Sequence, residues 1–156
     1  MTEKENLIYL LKQIHDEQPW HGDSLKKVLD GLTAEQAAAR PIANCHTIWE
    51  ITQHMINWRM YAIKNTAEDA SWFVQPDSEK DWTTITDTSP ANWERTLKEL
   101  DAATNLLAAN IENTSEEKLH EKLPDRPFTW FDLFHGVIYH DVCHSGQISI
   151  LKKQLS

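Results

Sequence analysis

Apolar residues recur every three or four positions in four long segments of the chain, which predicts four amphipathic helices. No segment shows a convincing strand pattern, and only four glycines are available for tight turns. We therefore predict an all-α fold, a four-helix bundle. The four predicted helices cover about Glu5–Gln18, Thr47–Thr66, Ser89–Ile111 and Thr129–Leu155.

Polar residues mark where several of these helices begin. Thr47 and Glu50 have the spacing of a capping box, in which the two side chains bond each other's backbone amides. Thr33 and Gln36 have the same spacing and predict a short helical turn before Pro41. A second short segment with apolar positions from Leu25 to Leu32 is also expected to be helical. Serine and then proline at Ser89-Pro90 fit an N-cap followed by the first helical position.

The chain of 156 residues is expected to form one domain, 1–156, because this length is ordinary for a single core. Asp69–Ser89 has no clear period and is too long for a simple turn. Its Trp72, Phe73, Val74 and Trp82 would anchor it to the domain. An extended connector of this length could let the second and third long helices run parallel.

Three histidines occupy helix positions where a core residue is expected. His140 and His144 lie four residues apart on the apolar stripe of the last helix, so both imidazoles leave the same face. His54 lies beside Met55 on the apolar stripe of the second long helix. Facing helices of a bundle often supply metal ligands to its core. The alternative is that these histidines are buried residues with hydrogen-bond partners in the protein.

A metal held only by His54, His140 and His144 would keep one coordination position open, as catalytic rather than structural sites do. Imidazole ligands suit zinc, nickel, iron or copper, and the sequence does not choose among them. Glu50, Asp141 and Gln147 are candidates for orienting a ligand histidine or a substrate. For Glu50 the alternative is that it caps its own helix, and for Asp141 that it is a solvated residue.

Composition limits the partners that we expect. The chain has 24 acidic and 15 basic residues, a net charge of −9, and no basic cluster, so we expect neither nucleic acid nor a membrane as a partner. The N-terminal residues are polar and two cysteines are too few for a disulfide framework. We expect a cytoplasmic protein. Seven tryptophans include candidates for pocket walls, namely Trp20, Trp58 and Trp82.

Several motifs resemble the DinB-like superfamily, which includes YfiT-like metalloenzymes and transferases that use bacillithiol or mycothiol. The resemblance covers nearly the whole chain and is most specific at the end, where the family pattern is His-x-x-x-His-x-Gly-Gln-Ile. The motifs are Pro19-Trp20-His21-Gly22, the turn Leu32–Ala37, Thr47–Glu50 leading to His54, Trp58-Arg59, Asp81-Trp82 and His140–Ile148.

The resemblance implies an up-down-down-up bundle with a long crossover between the second and third long helices, and often a homodimer. It also implies a divalent metal on the residues matching His54, His140 and His144. We expect zinc, with nickel or iron as alternatives.

Three functions fit these features. The first is a metal-dependent enzyme acting on small molecules, either transferring a low-molecular-weight thiol to an electrophile or hydrolysing its substrate. The second is a non-catalytic, stress-related bundle that binds a metal or another ligand. The third is a structural bundle whose histidines are only buried polar groups. Cys143 is not required as a nucleophile in any of them and is expected to be a small packed residue.

Overall fold

The computed structural model describes residues 1–67 and 72–155, and helices dominate these residues. Their only β pairing is one isolated bridge between Lys122 and Thr129. The all-α class is confirmed. The seven helices in the described part of the chain are α1 (Glu3–His15), α2 (Leu25–Leu29), α3 (Ala34–Ala38), α4 (Ile48–Thr66), α5 (Pro90–Asn113), α6 (Glu116–Leu119) and α7 (Trp130–Gln154).

The predicted caps form, and they explain where the helices begin. Thr33 and Thr47 each accept a hydrogen bond from the amide three residues on and complete a capping box, and Thr129 caps α7 in the same way. Ser89 caps α5 ahead of Pro90, as its sequence predicts. The predicted ends of two helices were wrong. Helix α1 ends at His15 rather than near Gln18, and α2 ends at Leu29 rather than at Leu32.

Side-chain contacts show that α4 and α5 run in the same direction. Trp49 near the start of α4 donates to Thr96 near the start of α5, at 3.1 Å. Thr66 at the end of α4 donates to Asn110 near the end of α5, at 2.6 Å. A parallel pair needs a connector about as long as a helix, which residues 67–89 supply.

The first long helix, α1, runs against this pair. Lys4 at the start of α1 donates to the carbonyl of Glu112 at the end of α5. His15 at the end of α1 contacts Asp101 in the middle of α5, so the two helices are antiparallel. These directions are compatible with the up-down-down-up bundle, which stays a prediction as a complete topology.

The apolar core forms two clusters, and polar side chains are buried alongside them. One cluster contains Trp49, Met55 and Ile148, and the other contains Tyr61 and Ile138. Along α7, His140 and His144 lie between Ile138 of the second cluster and Ile148 of the first, whereas His54 on α4 lies among residues of the first cluster. The buried polar residues of the bundle include His15, His54, Arg59, Thr104, Asp141 and His144.

The connector between α4 and α5 is anchored to the bundle by Val74 and Trp82, although Phe73, which was also predicted to anchor it, is exposed. The exposed fraction of Val74 is 2%, Asp81 is also buried, and Trp82 packs against the first cluster. The part of the predicted connector at 68–71 lies outside the described residues. Within the described part of the chain, no helix combines the length and apolarity that crossing a bilayer requires.

Candidate metal centre

The three predicted ligand histidines lie together between α4 and α7. The Nε2 atom of His140 lies 2.9 Å from Nε2 of His54 and 3.0 Å from Nε2 of His144. One ligand atom from each residue lies within 4.8 Å of the others. Three nitrogens from two helices therefore point at a common centre.

The outer nitrogens of two of these rings fix their tautomers. Nδ1 of His54 lies 2.9 Å from a carboxylate oxygen of Asp81 and 3.0 Å from its carbonyl oxygen. Nδ1 of His144 lies 2.6 Å from the amide oxygen of Gln147. Because these partners are acceptors, both Nδ1 atoms carry the proton. In the neutral rings, each Nε2 therefore presents a lone pair to the common centre.

Hydrogen bonding alone does not satisfy this arrangement. Nε2 of His140 carries at most one proton, so it can donate to His54 or to His144 but not fully to both. A divalent cation would accept lone pairs from all three nitrogens. The cluster therefore fits a divalent metal, with three neutral nitrogen ligands and room for another ligand. In the described part of the chain, Nδ1 of His140 is buried and has no protein partner.

Burial keeps the three imidazoles neutral. Loss of solvent, with the neighbouring histidines and Arg59 acting in the same direction, lowers the pKa of His140 to about 3. Burial also lowers the pKa of His54 and of His144, although Asp81 and Gln147 act in opposition. Neutral imidazole is the form that binds a metal, so these rings need not lose a proton at neutral pH.

Asp81 is a site residue that the helical periodicity did not reveal. Besides His54, its carboxylate accepts from the indole nitrogen of Trp58 at 2.8 Å and from the amide of Asp77 at 2.8 Å. The residue is 4% exposed. It lies in the connector, 27 residues from His54, where no period aligns it with a helix. The only sequence signal was the Asp81-Trp82 motif of the family resemblance.

Trp82 holds the outer side of His54 in place. The two rings are stacked with centroids 3.8 Å apart and planes 5° from parallel. His46 stacks on the opposite face of the same indole, at 3.5 Å. This three-ring stack limits rotation of His54, so the connector sets both its hydrogen bond and its orientation.

Two cavities reach the histidine cluster from different directions. The larger, of about 660 Å³, opens beside His54 and His140, and Trp58 forms part of its wall. The smaller, of about 330 Å³, opens beside His144 and Trp82. Small molecules could therefore approach the common centre from two directions.

The comparisons with known proteins agree with this geometry. The family model described as DinB superfamily matches residues 20–148, which include all three histidines and the connector. The chain belongs to the DinB superfamily. No curated protein and no solved structure gave a significant match.

The other predicted polar residues of this DinB superfamily protein occupy different places. Gln147 contacts His144, as described above. Glu50 does not contact the histidine cluster: it completes the cap of α4 and pairs with Arg40 at 2.8 Å. The structure supports the alternative interpretation of Glu50, in which it caps its own helix.

Asp141 is buried rather than solvated, and it pairs with Arg59 at 2.9 Å instead of contacting a ligand histidine. It points away from His140 because adjacent residues of a helix are about 100° apart. Burial raises the pKa of Asp141 to about 6, although Arg59 opposes that shift. One oxygen of Asp141 and two nitrogens of Arg59 have no partner within the described residues.

Of the predicted pocket walls, Trp58 and Trp82 line cavities beside the cluster, but Trp20 does not. Trp20 is fully exposed, since the bend at Pro19–Gly22 turns its side chain to solvent. Cys143 was expected to be packed and is instead exposed on α7. Because Cys143 is exposed and forms no disulfide, its substitution is a suitable control.

Proposed function

We propose that this protein is a metal-dependent transferase that joins a low-molecular-weight thiol to a small organic electrophile. The observation that carries the proposal is the convergence of three neutral Nε2 atoms at a place that two cavities reach. Membership of the DinB superfamily and the three-histidine cluster fit a metal-dependent enzyme in general. The thiol, the electrophile and the identity of the metal are our inference.

His54, His140 and His144 would hold the cation, with zinc expected and nickel or iron as alternatives. Bound there, a divalent cation supplies uncompensated positive charge that favours the deprotonated form of a thiol or of water. Asp81 and Gln147 hold the proton on Nδ1 of His54 and His144 and thereby keep Nε2 free for the metal. Trp82 restrains the ring of His54.

In the proposed reaction, the thiol sulphur forms a bond to an electrophilic carbon while the bond from that carbon to its leaving group breaks. The leaving group departs with the electron pair, and the thiol proton passes to solvent. The larger cavity would take the electrophile, because Trp58 and its other apolar walls suit a small organic molecule. The smaller cavity would admit the thiol beside His144.

Hydrolysis is the competing use of the same centre. A hydrolase of this kind commonly needs a carboxylate that can accept a proton from water. Asp81 is the acidic residue beside the cluster, and its carboxylate already accepts from His54, Trp58 and the amide of Asp77. Because these hydrogen bonds already use the carboxylate of Asp81, we favour thiol transfer over hydrolysis. A non-catalytic metal- or ligand-binding protein is the alternative if no reaction is found.

The test is to react several thiols with a generic alkylating electrophile, using metal-loaded and chelated protein. We expect faster conjugation with the metal-loaded protein, loss of that gain in His140→Ala, and its retention in Cys143→Ser. Cleavage of esters or amides without thiol conjugation would support hydrolysis. No reaction with either panel would support the binding function. The cytoplasmic location and the homodimer remain proposals, and chromatography with light scattering would test the latter.

A further inference from the structure

The larger cavity has the histidine cluster at one end and the guanidinium of Arg126 at the other. His54 lies at the metal end, and Tyr61, seven residues later on α4, also lines the cavity and accepts a hydrogen bond from Arg126. At 1.5 Å per residue, these positions are about 10 Å apart along the helix. Arg126 enters the same cavity from the loop between α6 and α7. A molecule that reaches from the metal centre to Arg126 would therefore have a body of several carbons.

The guanidinium of Arg126 is held at the cavity by neutral groups. Its Nε donates to the hydroxyl of Tyr61 at 3.0 Å, and Nη1 donates to the carbonyl of Asp125 at 3.2 Å. Its carbon lies 5.3 Å from the ring centroid of Phe73, which comes from the connector. These contacts fix the position of the charge without neutralising it.

No carboxylate in the described part of the chain forms an ion pair with Arg126. Two acids share its cavity, but both are engaged elsewhere. Asp81 accepts from His54 and Trp58, and Asp132 accepts two hydrogen bonds from Thr129. An uncompensated guanidinium in a largely apolar cavity favours an anionic ligand, because carboxylates bind arginine with charge-assisted hydrogen bonds.

We propose that Arg126 selects substrates with an aromatic or aliphatic body and a terminal carboxylate. The apolar walls would bind the body, Arg126 would bind the carboxylate, and the opposite end of the molecule would face the histidine cluster. The assignment of that opposite end as the reacting end rests on the proposed function. The preference for an anion at Arg126 does not.

The experiment compares the binding of 4-phenylbutyrate and its neutral amide to the zinc-loaded full chain by titration calorimetry. We expect the acid to bind about tenfold tighter than the amide, the effect of one charge-assisted hydrogen bond. Arg126→Gln should abolish that preference and leave amide binding unchanged. Arg95→Gln, which removes a surface arginine from α5, should retain the preference.

A preference for the acid that persists in Arg126→Gln would overturn the proposal, because the zinc would then be binding the carboxylate. Equal affinity for acid and amide in the unmodified protein would overturn it as well. If Arg126→Gln loses amide binding too, Arg126→Lys decides: a retained acid preference supports the proposal, and a lost one contradicts it.

Repeating the titration with chelated protein separates this proposal from the proposed function. Arg126-dependent binding of the acid, together with no thiol transfer by the metal-loaded protein, would support the anion site and contradict the enzyme. Thiol transfer without any preference for the acid would support the enzyme and contradict the anion site.

Discussion

The carboxylate of Asp81 lies 2.9 Å from Nδ1 of His54 and links the connector to the candidate metal centre. An acceptor at Nδ1 directs the lone pair of Nε2 toward the metal and increases its basicity. Trp82, the next residue, stacks on the same imidazole. One two-residue segment of the connector therefore determines both the tautomer and the orientation of a ligand from α4.

Asp81→Asn should weaken metal binding without removing a ligand. The substitution keeps the size of the side chain but removes the charge that stabilises His54 as a ligand. We expect the affinity to fall about 10–100-fold, as is common for residues that support a ligand histidine. Competition with a chromogenic chelator measures it. Glu94→Gln makes the same charge change at an exposed position of α5 and should retain the unmodified affinity; an unchanged affinity in Asp81→Asn would contradict this role.

The sequence predicted the helical parts of the centre because their information is local. Threonine three residues before a glutamate or a glutamine predicted the starts of α3 and α4. The spacing of His140 and His144 placed two rings on one face. His54 was found because it interrupts an apolar stripe on a different helix.

What the sequence did not predict depends on contacts between distant segments. Asp81 reaches His54 only after the connector folds back on α4, and no helical period describes that path. Asp141 and Arg59 form a buried pair across two helices, so neither could be distinguished from a surface charge by its own segment. Trp20 failed as a pocket wall because the direction of a bend depends on its backbone rather than on its composition.

The buried pair of Arg59 and Asp141 predicts a non-additive effect on stability. Removing one partner leaves the other as a buried charge, so Asp141→Leu alone should lower the free energy of unfolding by about 3–5 kcal/mol. The double variant Arg59→Met with Asp141→Leu should be considerably more stable than that single variant, because no buried charge remains. Urea unfolding of chelated protein measures both. A double variant as unstable as the sum of the two single variants would contradict the coupling.

His15 predicts a loss of stability in mild acid that does not involve the metal. It is 4% exposed. Burial lowers its pKa, Arg59 adds to that effect, and Asp101 opposes it. The pKa in the folded chain is therefore below the unfolded value of about 6.5. The unfolded chain binds more protons as the pH falls below that value, so the stability present above it is lost.

His15→Gln should therefore make the free energy of unfolding less dependent on pH between 7 and 5. Urea unfolding of chelated protein at several pH values provides the measurement. His21→Gln, which changes an exposed histidine, is the control and should keep the slope of the unmodified protein. If His15→Gln has that same slope, His15 does not contribute to the acid sensitivity, and the cluster histidines with lowered pKa values account for it.

Metal content tests the central claim most directly. Protein purified without a histidine tag should contain one divalent metal per chain by elemental analysis after loading and desalting. His54→Ala, His140→Ala and His144→Ala should each lose most of it, because two imidazoles cannot hold a cation as three do. His135→Ala, which removes a histidine of α7 outside the cluster, should remain fully loaded. Full occupancy in His144→Ala, or no metal in the unmodified protein, would contradict a metal centre at these three residues.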